Sequence, residues 1–268
     1  TLSYAIVVEE LSKIDASSSV IVSVNNSLVC YGIEKYGNDV VQVYISKSLF
    51  SFKKIKKNIS FFIKNRYPFP IKFKDLYKFI KWQLKLKSNG ADGHKTLHDF
   101  FSSHGISTKY IETLNGKSFH EELRELDADV FLFSPFDKIA GPKFIAIPKL
   151  GAFNIHLGKI PEYKGGFSAF WVLSKNDSTA GASIHRLANK IDEGELIEEV
   201  RFNVEKKTMI SLMDDTIKHA SAMTLKGLEN IENGNIKSVS IEGRDSDYLL
   251  YPTKEAFMEF YKNGNSLL

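Results

Sequence analysis

The chain has 268 residues, enough to bury one substantial core with an appended segment, and its single cysteine, Cys30, excludes an internal disulfide framework and a cysteine-rich zinc site. No uninterrupted apolar stretch reaches the length of a membrane span, and the amino end lacks a basic-then-apolar leader pattern, so the expectation is a soluble, cytoplasmic protein. The formal net charge is +4, but the charge is segregated: Lys47 to Lys87 holds 13 Lys or Arg against one acid, Asp75, which makes that stretch +12 and the remainder −8.

At the amino end, Tyr4 to Val8 is an apolar run that reads as an edge strand or a short helix. Val20 to Val24 is β-branched apart from Ser23 and predicts the first buried strand, and Asn25-Asn26-Ser27 can cap a helix reaching about Tyr36. Val40 to Ile45 predicts a second strand, so this part opens like a Rossmann βαβ unit. The turn from Ser23 to Ser27 offers backbone N–H groups at a helix start, yet it lacks the glycines that let a phosphate approach closely.

The basic stretch from Lys47 also carries 10 aromatics, among them Phe61, Phe62, Tyr67, Phe69, Tyr77 and Trp82. It suits either a surface for an anionic partner or a pair of amphipathic helices with lysines outside, since Phe73, Tyr77, Ile80 and Leu84 recur at helical spacing. We delimit it as an insertion at about 47–93, closed by the turn cluster Asn89 to Gly93. The α/β alternation then resumes: a helix from Lys95 to His104 closed by Gly105, a strand from Ser107 to Ile111, a helix from Lys117 to Leu126 and a buried strand from Val130 to Phe133. Ser134 to Ile139 follows that strand, where open α/β sheets place their ligands.

Gly151 to Gly194 carries the chemistry. Asn154 and His156 lie two apart in an apolar run, and a strand turns alternate residues to one face, so both point the same way. Lys159 to Gly166 supplies turn residues before a helix that opens at about Phe167. After a strand from Gly181 to Leu187, Asp192 sits in a tight loop leading into the strand Glu195 to Phe202. An amide, an imidazole and a carboxylate from separate elements can meet there, although each also has an ordinary reading, as a packed core histidine or a turn-forming aspartate. Beyond Phe202, Thr208 can cap a long helix, Ile236 to Ile241 alternates as a strand, and a last helix runs from about Lys254 to Tyr261 and ends at Asn263-Gly264.

Four short motifs agree in order and spacing with one family: N-I-H at 154–156, I-P-E-Y-K-G at 160–165, G-A-S-I-H at 181–185 and I-D-E-G at 191–194. Over about Asp127 to Phe202 the chain resembles the folate-dependent formyltransferases, departing at Leu157, where proline is frequent, at Gly158, where serine is usual, and at Lys164, where arginine is usual. The resemblance implies an α/β, Rossmann-like formyltransferase domain with a mostly parallel sheet at 1–202, carrying the basic helical insertion, and a short α/β appendage at 203–268. It implies 10-formyltetrahydrofolate as co-substrate and no metal. Asn154 and His156 would polarise the formyl group and hold the oxyanion, and Asp192 would orient His156 and relay a proton. Lys138, Ile139, Ala140, Ile145, Asn189 and Lys190 would lie against the folate, and Asn25, Tyr163, Lys164, Phe167, Trp171 and His185 on the acceptor side.

The acceptor is narrowed by the same resemblance. Nucleotide-sugar N-formyltransferases are most similar, with a catalytic domain followed by a short appendage, so a nucleotide-linked amino sugar is the expected small-molecule partner. Hydroxyornithine or glycinamide ribonucleotide is the alternative acceptor, the latter disfavoured by the glycine-poor turn at Ser23 to Ser27. A tail this short and helical argues against tRNA, and the few residues before the expected first strand argue against a formyl-folate hydrolase with a preceding regulatory domain. The non-enzyme alternative is a relative that binds nucleic acid through the basic stretch, which the intact trio disfavours. A homodimer is compatible with everything above.

Overall fold

The computed structural model describes residues 3–10, 37–47, 97–134, 138–205, 208–236, 239–241, 248–249 and 252–267. The strand expected at Val20 to Val24, the helix after it, Asn25 and the basic aromatic stretch beyond Lys47 lie outside these residues. In chain order the elements are β1 (Tyr4–Glu10), β2 (Val40–Lys47), α1 (Leu97–Ser103), β3 (Thr108–Ile111), α2 (Lys117–Glu125), β4 (Val130–Phe133), α3 (Pro142–Ile145) and β5 (Gly151–His156). They continue with α4 (Ser168–Ser174), β6 (Thr179–Arg186), β7 (Leu196–Asn203), α5 (Met209–Glu232) and α6 (Lys254–Lys262).

Among the described residues the strands form one sheet in the order β3-β2-β1-β4-β5-β6-β7. Pairing is parallel from β3 through β5 and antiparallel at β6 and β7. The apolar run at the amino end is therefore neither an edge strand nor a short helix: β1 pairs with β2 on one side and β4 on the other. A strand with parallel neighbours on both sides reads as a continuous apolar run, which Tyr4 to Val8 is. The chain leaves β1 toward β2 and β3 and later returns to its other side as β4. The carboxyl ends of β1 and β4 therefore flank the switch point at which such sheets bind ligands.

Strand β4 shows why the sheet is covered on both faces, since all its residues are buried. Val130 and Leu132 join Phe153, Ile155, Ile184 and the inner side of α5, while Phe131 and Phe133 join Leu123 and Phe144 on the opposite face. This is the period-two alternation of a strand with a core on each side. Helix α5 begins at Thr208, whose Oγ1 accepts from Ser211 N at 3.2 Å. Its buried positions Ile217, Ala220, Met223, Leu228 and Ile231 form the stripe that lies on the sheet, and Leu212 joins the cluster around Phe170 and Phe260. Helix α6, likewise capped by Thr253, packs on α4: the rings of Phe170 and Phe260 stack at 4.7 Å with 13° between their planes.

The strand expected at Ile236 to Ile241 is, among the described residues, a single bridge between Val239 and Leu196. Gly227 lets α5 lie close to β6, for a Cβ there would stand 2.5 Å from Ile184 Cδ1. Gly227→Leu is expected to destabilise the fold by roughly 1–3 kcal/mol through overpacking; a shift in the midpoint of urea unfolding measures it.

Candidate active site

The antiparallel register of β5 and β6 sets Asn154 opposite His185 and His156 opposite Ser183. Asn154 and His156 share a face of β5, and their cross-strand partners bring a second imidazole and a hydroxyl to that face. Ser183 Oγ donates to Gly158 O at 2.8 Å and accepts from Ile160 N at 3.3 Å, which fixes the start of the loop after His156. Gly158 leaves no room for the serine usual at this position: a Cβ would lie 2.6 Å from Ser168 Oγ and 2.8 Å from His156 Nε2.

The next turn of the loop is tied down by a buried cation. Lys159 is 3% exposed, and its Nζ donates to Asp177 Oδ2 at 2.8 Å and to Thr179 Oγ1 at 2.7 Å. The Tyr163 hydroxyl donates to the same Asp177 oxygen at 3.0 Å. Burial of the Asp177 carboxyl alone would raise its pKa, but the Lys159 ammonium, the Thr179 N–H and the Tyr163 hydroxyl outweigh it and bring it down to about 2. Tyr163, anchored this way, turns its main-chain carbonyl to His156, whose Nε2 donates to it at 2.7 Å. A carbonyl only accepts, so Nε2 carries a hydrogen here, and Nδ1 is the atom that faces Asp192 Oδ2 at 3.8 Å.

Asp192 is 8% exposed and has a left-handed backbone, φ 53. Its Oδ2 accepts from Gly165 N at 2.8 Å, and its Oδ1 lies 3.3 Å from His185 Nε2. Burial pushes the carboxyl up, yet His156, His185 and the Gly165 N–H together outweigh that and hold it well below the usual carboxylate range. The site therefore contains a fixed negative charge. His185, 1% exposed, donates from Nδ1 to Arg186 O at 3.1 Å. Its Nε2 then either accepts from Asn154 Nδ2, 3.1 Å away, or donates to Asp192; one nitrogen cannot do both in one protonation state.

The other expected site residues fall into distinct places. Lys164 is buried and pairs with Glu193 at 3.3 Å. The Tyr163 side chain is buried with its phenol committed to Asp177, so what it offers the site is its carbonyl. Phe167 is 45% exposed and holds a φ of 61, unusual for an aromatic, at the start of α4. Trp171 is half-buried and meets Phe170 edge-on. On the other side of the opening, Lys138 and Ala140 are half-buried and Ile139 is 67% exposed. Asn115 clamps this loop by donating to Ile139 O at 3.1 Å and accepting from Gly141 N at 2.9 Å. Ile145 packs on the cluster around Phe144, while Asn189 and Lys190 are exposed on the loop to Asp192, Lys190 pairing with Glu193.

Sequence reasoning missed Lys159, Asp177, Ser183 and Gly165. Ser183 left a signal, as the serine of the S-I-H motif, and so did Gly165, as the last residue of the I-P-E-Y-K-G motif; Lys159 and Asp177 look like surface residues until the loop folds over them. Among the described residues, no group of three or more His, Cys, Asp or Glu side chains is arranged to hold a metal ion, and no helix is long and apolar enough to cross a membrane.

Residues 100–226 match the family described as Formyl transferase, and over that stretch the chain is similar to the formyltransferases. A second match, to the acyl-CoA dehydrogenase N-terminal domain, covers residues 1–50, but β1 and β2 in that stretch are inner strands of the sheet to which strands within residues 100–226 also belong. The bifunctional polymyxin resistance protein ArnA of Wigglesworthia glossinidia brevipalpis is 28% identical over 186 residues, 66% of this chain and 28% of that protein. Methionyl-tRNA formyltransferase of Thermotoga neapolitana is 27% identical over 165 residues, 61% of this chain and 53% of that protein. The chain thus spans about half or less of the length of these curated relatives.

Among solved structures, the N-formyltransferase of Helicobacter canadensis, in complex with folinic acid and dTDP-3-aminofucose, superposes with a TM-score of 0.59 at 16% identity, covering 97% of this chain and 79% of that one. Phosphoribosylglycinamide formyltransferase of Anaplasma phagocytophilum gives 0.59 at 16%, covering 94% and 99%. The fold is the Rossmann-like one of these formyltransferases.

A group whose pKa is depressed in the folded state stabilises the fold above its unfolded pKa, and that contribution disappears as pH falls through the folded value. For Asp177 the window runs from the ordinary carboxylate range down to about 2. Asp177→Ala, which leaves the Lys159 ammonium buried without its carboxylate, is expected to cost about 3–5 kcal/mol at pH 7. The cost should shrink toward pH 2, as thermal unfolding of both proteins across that range would show.

Proposed function

We propose that this protein transfers a formyl group from 10-formyltetrahydrofolate to the amine of a nucleotide-linked amino sugar. The observation that carries the reading is the meeting of Asn154, His156 and Asp192, with both oxygens of the ionised carboxylate turned toward imidazoles.

The transfer requires an amine nitrogen to attack the formyl carbon, a tetrahedral oxyanion to form, and the bond to the folate nitrogen to break as a proton moves from the amine to that nitrogen. Asn154 Nδ2 is a donor that can serve the developing oxyanion. Rotating the His156 imidazole off the Tyr163 carbonyl presents its Nε2–H to the same oxygen. Asp192 holds the charge that balances an imidazolium at His156 and accepts, directly or through a water, the proton that the attacking amine loses. The fixed Asp192 charge also draws in an amine as its ammonium, which gives up one proton to solvent before its nitrogen attacks.

The folate ring is assigned to the loops after β4 and β6. Ile139, 67% exposed, and Ile191, 43% exposed, stand on the loops that follow β4 and β6, where an apolar face can cover a folate ring while main-chain groups pair with its edge. The amino-sugar nucleotide is supported by the neighbouring sugar N-formyltransferases, the Helicobacter canadensis protein being held with folinic acid and dTDP-3-aminofucose. Glycinamide ribonucleotide is the second reading, supported by the equal superposition of the Anaplasma phagocytophilum protein.

Formyl transfer from 10-formyltetrahydrofolate should therefore be measured with dTDP-3-aminofucose, with glycinamide ribonucleotide and without acceptor. Turnover with the sugar nucleotide alone is the expected result; formate release that ignores the acceptor would replace transfer by hydrolysis. His156→Ala and Asp192→Ala are each expected to lower kcat by roughly 10²–10³, with folding followed by circular dichroism. Near-normal kcat in a folded variant sinks the corresponding role.

A further inference from the structure

The trio lies within residues 100–226, the stretch that matches the family, but one border of the site comes from beyond it. Tyr248 and Leu249 return to the turn at Lys164–Gly166 and pair with it in parallel. Leu249 N donates to Lys164 O at 2.9 Å, and Gly166 N donates to Leu249 O at 3.0 Å. Successive peptide groups of an extended chain face opposite sides. Gly165 N–H shares a trans peptide with Lys164 O, so it points the opposite way, away from Leu249, and donates to Asp192 Oδ2.

The turn is thus held along one edge by Leu249 and along the other by the Asp192 carboxylate. Its fit is tight: Gly165 has φ 95, and a Cβ there would stand 2.3 Å from Leu249 O. Leu249 is buried against Tyr163, Phe170 and Phe257, which anchors the returning segment. Tyr248, next to it, is 44% exposed. Tyr248 thus stands one residue from the pair that holds the Asp192-bound turn, and burial first and the Asp192 charge second push its phenol pKa up. An exposed aromatic ring with a donor at its tip, beside the turn that binds a fixed carboxylate, offers an incoming cation a π face and offers a hydroxyl or carbonyl a hydrogen bond. Phe167, 45% exposed just past the same turn, adds a second aromatic to this side.

We propose that Tyr248 is a specificity-determining residue for the acceptor, its phenol contacting the amine-bearing part of that molecule as the amine approaches Asp192. The inference rests on the formyl-transfer reading above. It assigns acceptor recognition to a residue beyond the family match and leaves the donor to the loops carrying Ile139 and Ile191. Acceptor preference can then change without altering Asn154, His156 or Asp192.

Steady-state kinetics of wild type, Tyr248→Phe and Tyr248→Ala with 10-formyltetrahydrofolate, against dTDP-3-aminofucose and against glycinamide ribonucleotide, test this. Loss of one hydrogen bond in Tyr248→Phe is expected to raise the acceptor KM roughly three- to tenfold. Tyr248→Ala should raise it further by removing the ring, while the KM for 10-formyltetrahydrofolate stays within about twofold in both. Acceptor KM values unchanged in both variants overturn the inference while the parent reading stands. An equal loss toward donor and acceptor overturns it as well, in favour of a role in holding the turn. Wild-type protein that formylates neither amine removes the parent reading, and this inference with it.

Discussion

The burial of one carboxylate constrains the rest of the site. A charge taken out of water costs several kcal/mol unless it is surrounded by donors. Asp192 is met by three separate pieces of chain: the Gly165 N–H of the intervening turn donates to it, and the imidazoles of His156, from the end of β5, and His185, from β6, face its two oxygens. Each partner in turn demands a particular local geometry. The histidines require the antiparallel register of β5 and β6, Gly165 requires a positive φ, and Asp192 itself sits in the left-handed region that bends the loop inward. A functional site that concentrates strain and a buried charge is stable only inside a framework that over-determines it.

That framework has its own buried charge. Lys159 and Asp177 hold Tyr163 from below the loop, and the Tyr163 carbonyl holds His156 from above. The two ion clusters share no residue, yet they meet through a single main-chain carbonyl. The orientation of the imidazole therefore depends on a salt bridge that touches neither the amide nor the carboxylate of the site. On the sheet, the change from parallel to antiparallel pairing falls at β5, so the strand bearing Asn154 and His156 receives β4 on one edge and His185 on the other.

The likeness to known formyltransferases is stronger in topology than in sequence. Identity to the superposed structures is only 16%, yet the topology is retained over most of both chains. Apolar positions on a covered sheet tolerate exchange as long as volume and pattern are kept. Groups that must reach one carboxylate do not. The peripheral segments answer to neither constraint, and the return of Tyr248 and Leu249 to the Gly165 turn shows such a segment bordering the site.

Much of this was legible in the order of the residues. The apolar periods of β4, β5, β6, β7 and α5, the cap at Thr208 and the stops at Gly105 and Gly264 are local properties, written in neighbouring residues and recovered within a few positions. Asn154 and His156 belong to the same class, since two-residue spacing on a strand already decides that they share a face. The place of β1 was not legible, because seven residues carry no information about whether their partners lie on one side or both. Nor were the roles of Lys159, Asp177 and Gly165, for a lysine's burial, an aspartate's distant partners and the direction of one N–H are set by chain segments far away in sequence. The sequence by itself determined which polar side chains share a strand face and where the strands that carry them lie. Only the tertiary structure decided which charges are buried and what surrounds them, because burial and long-range hydrogen bonding arise from packing and not from neighbours along the chain.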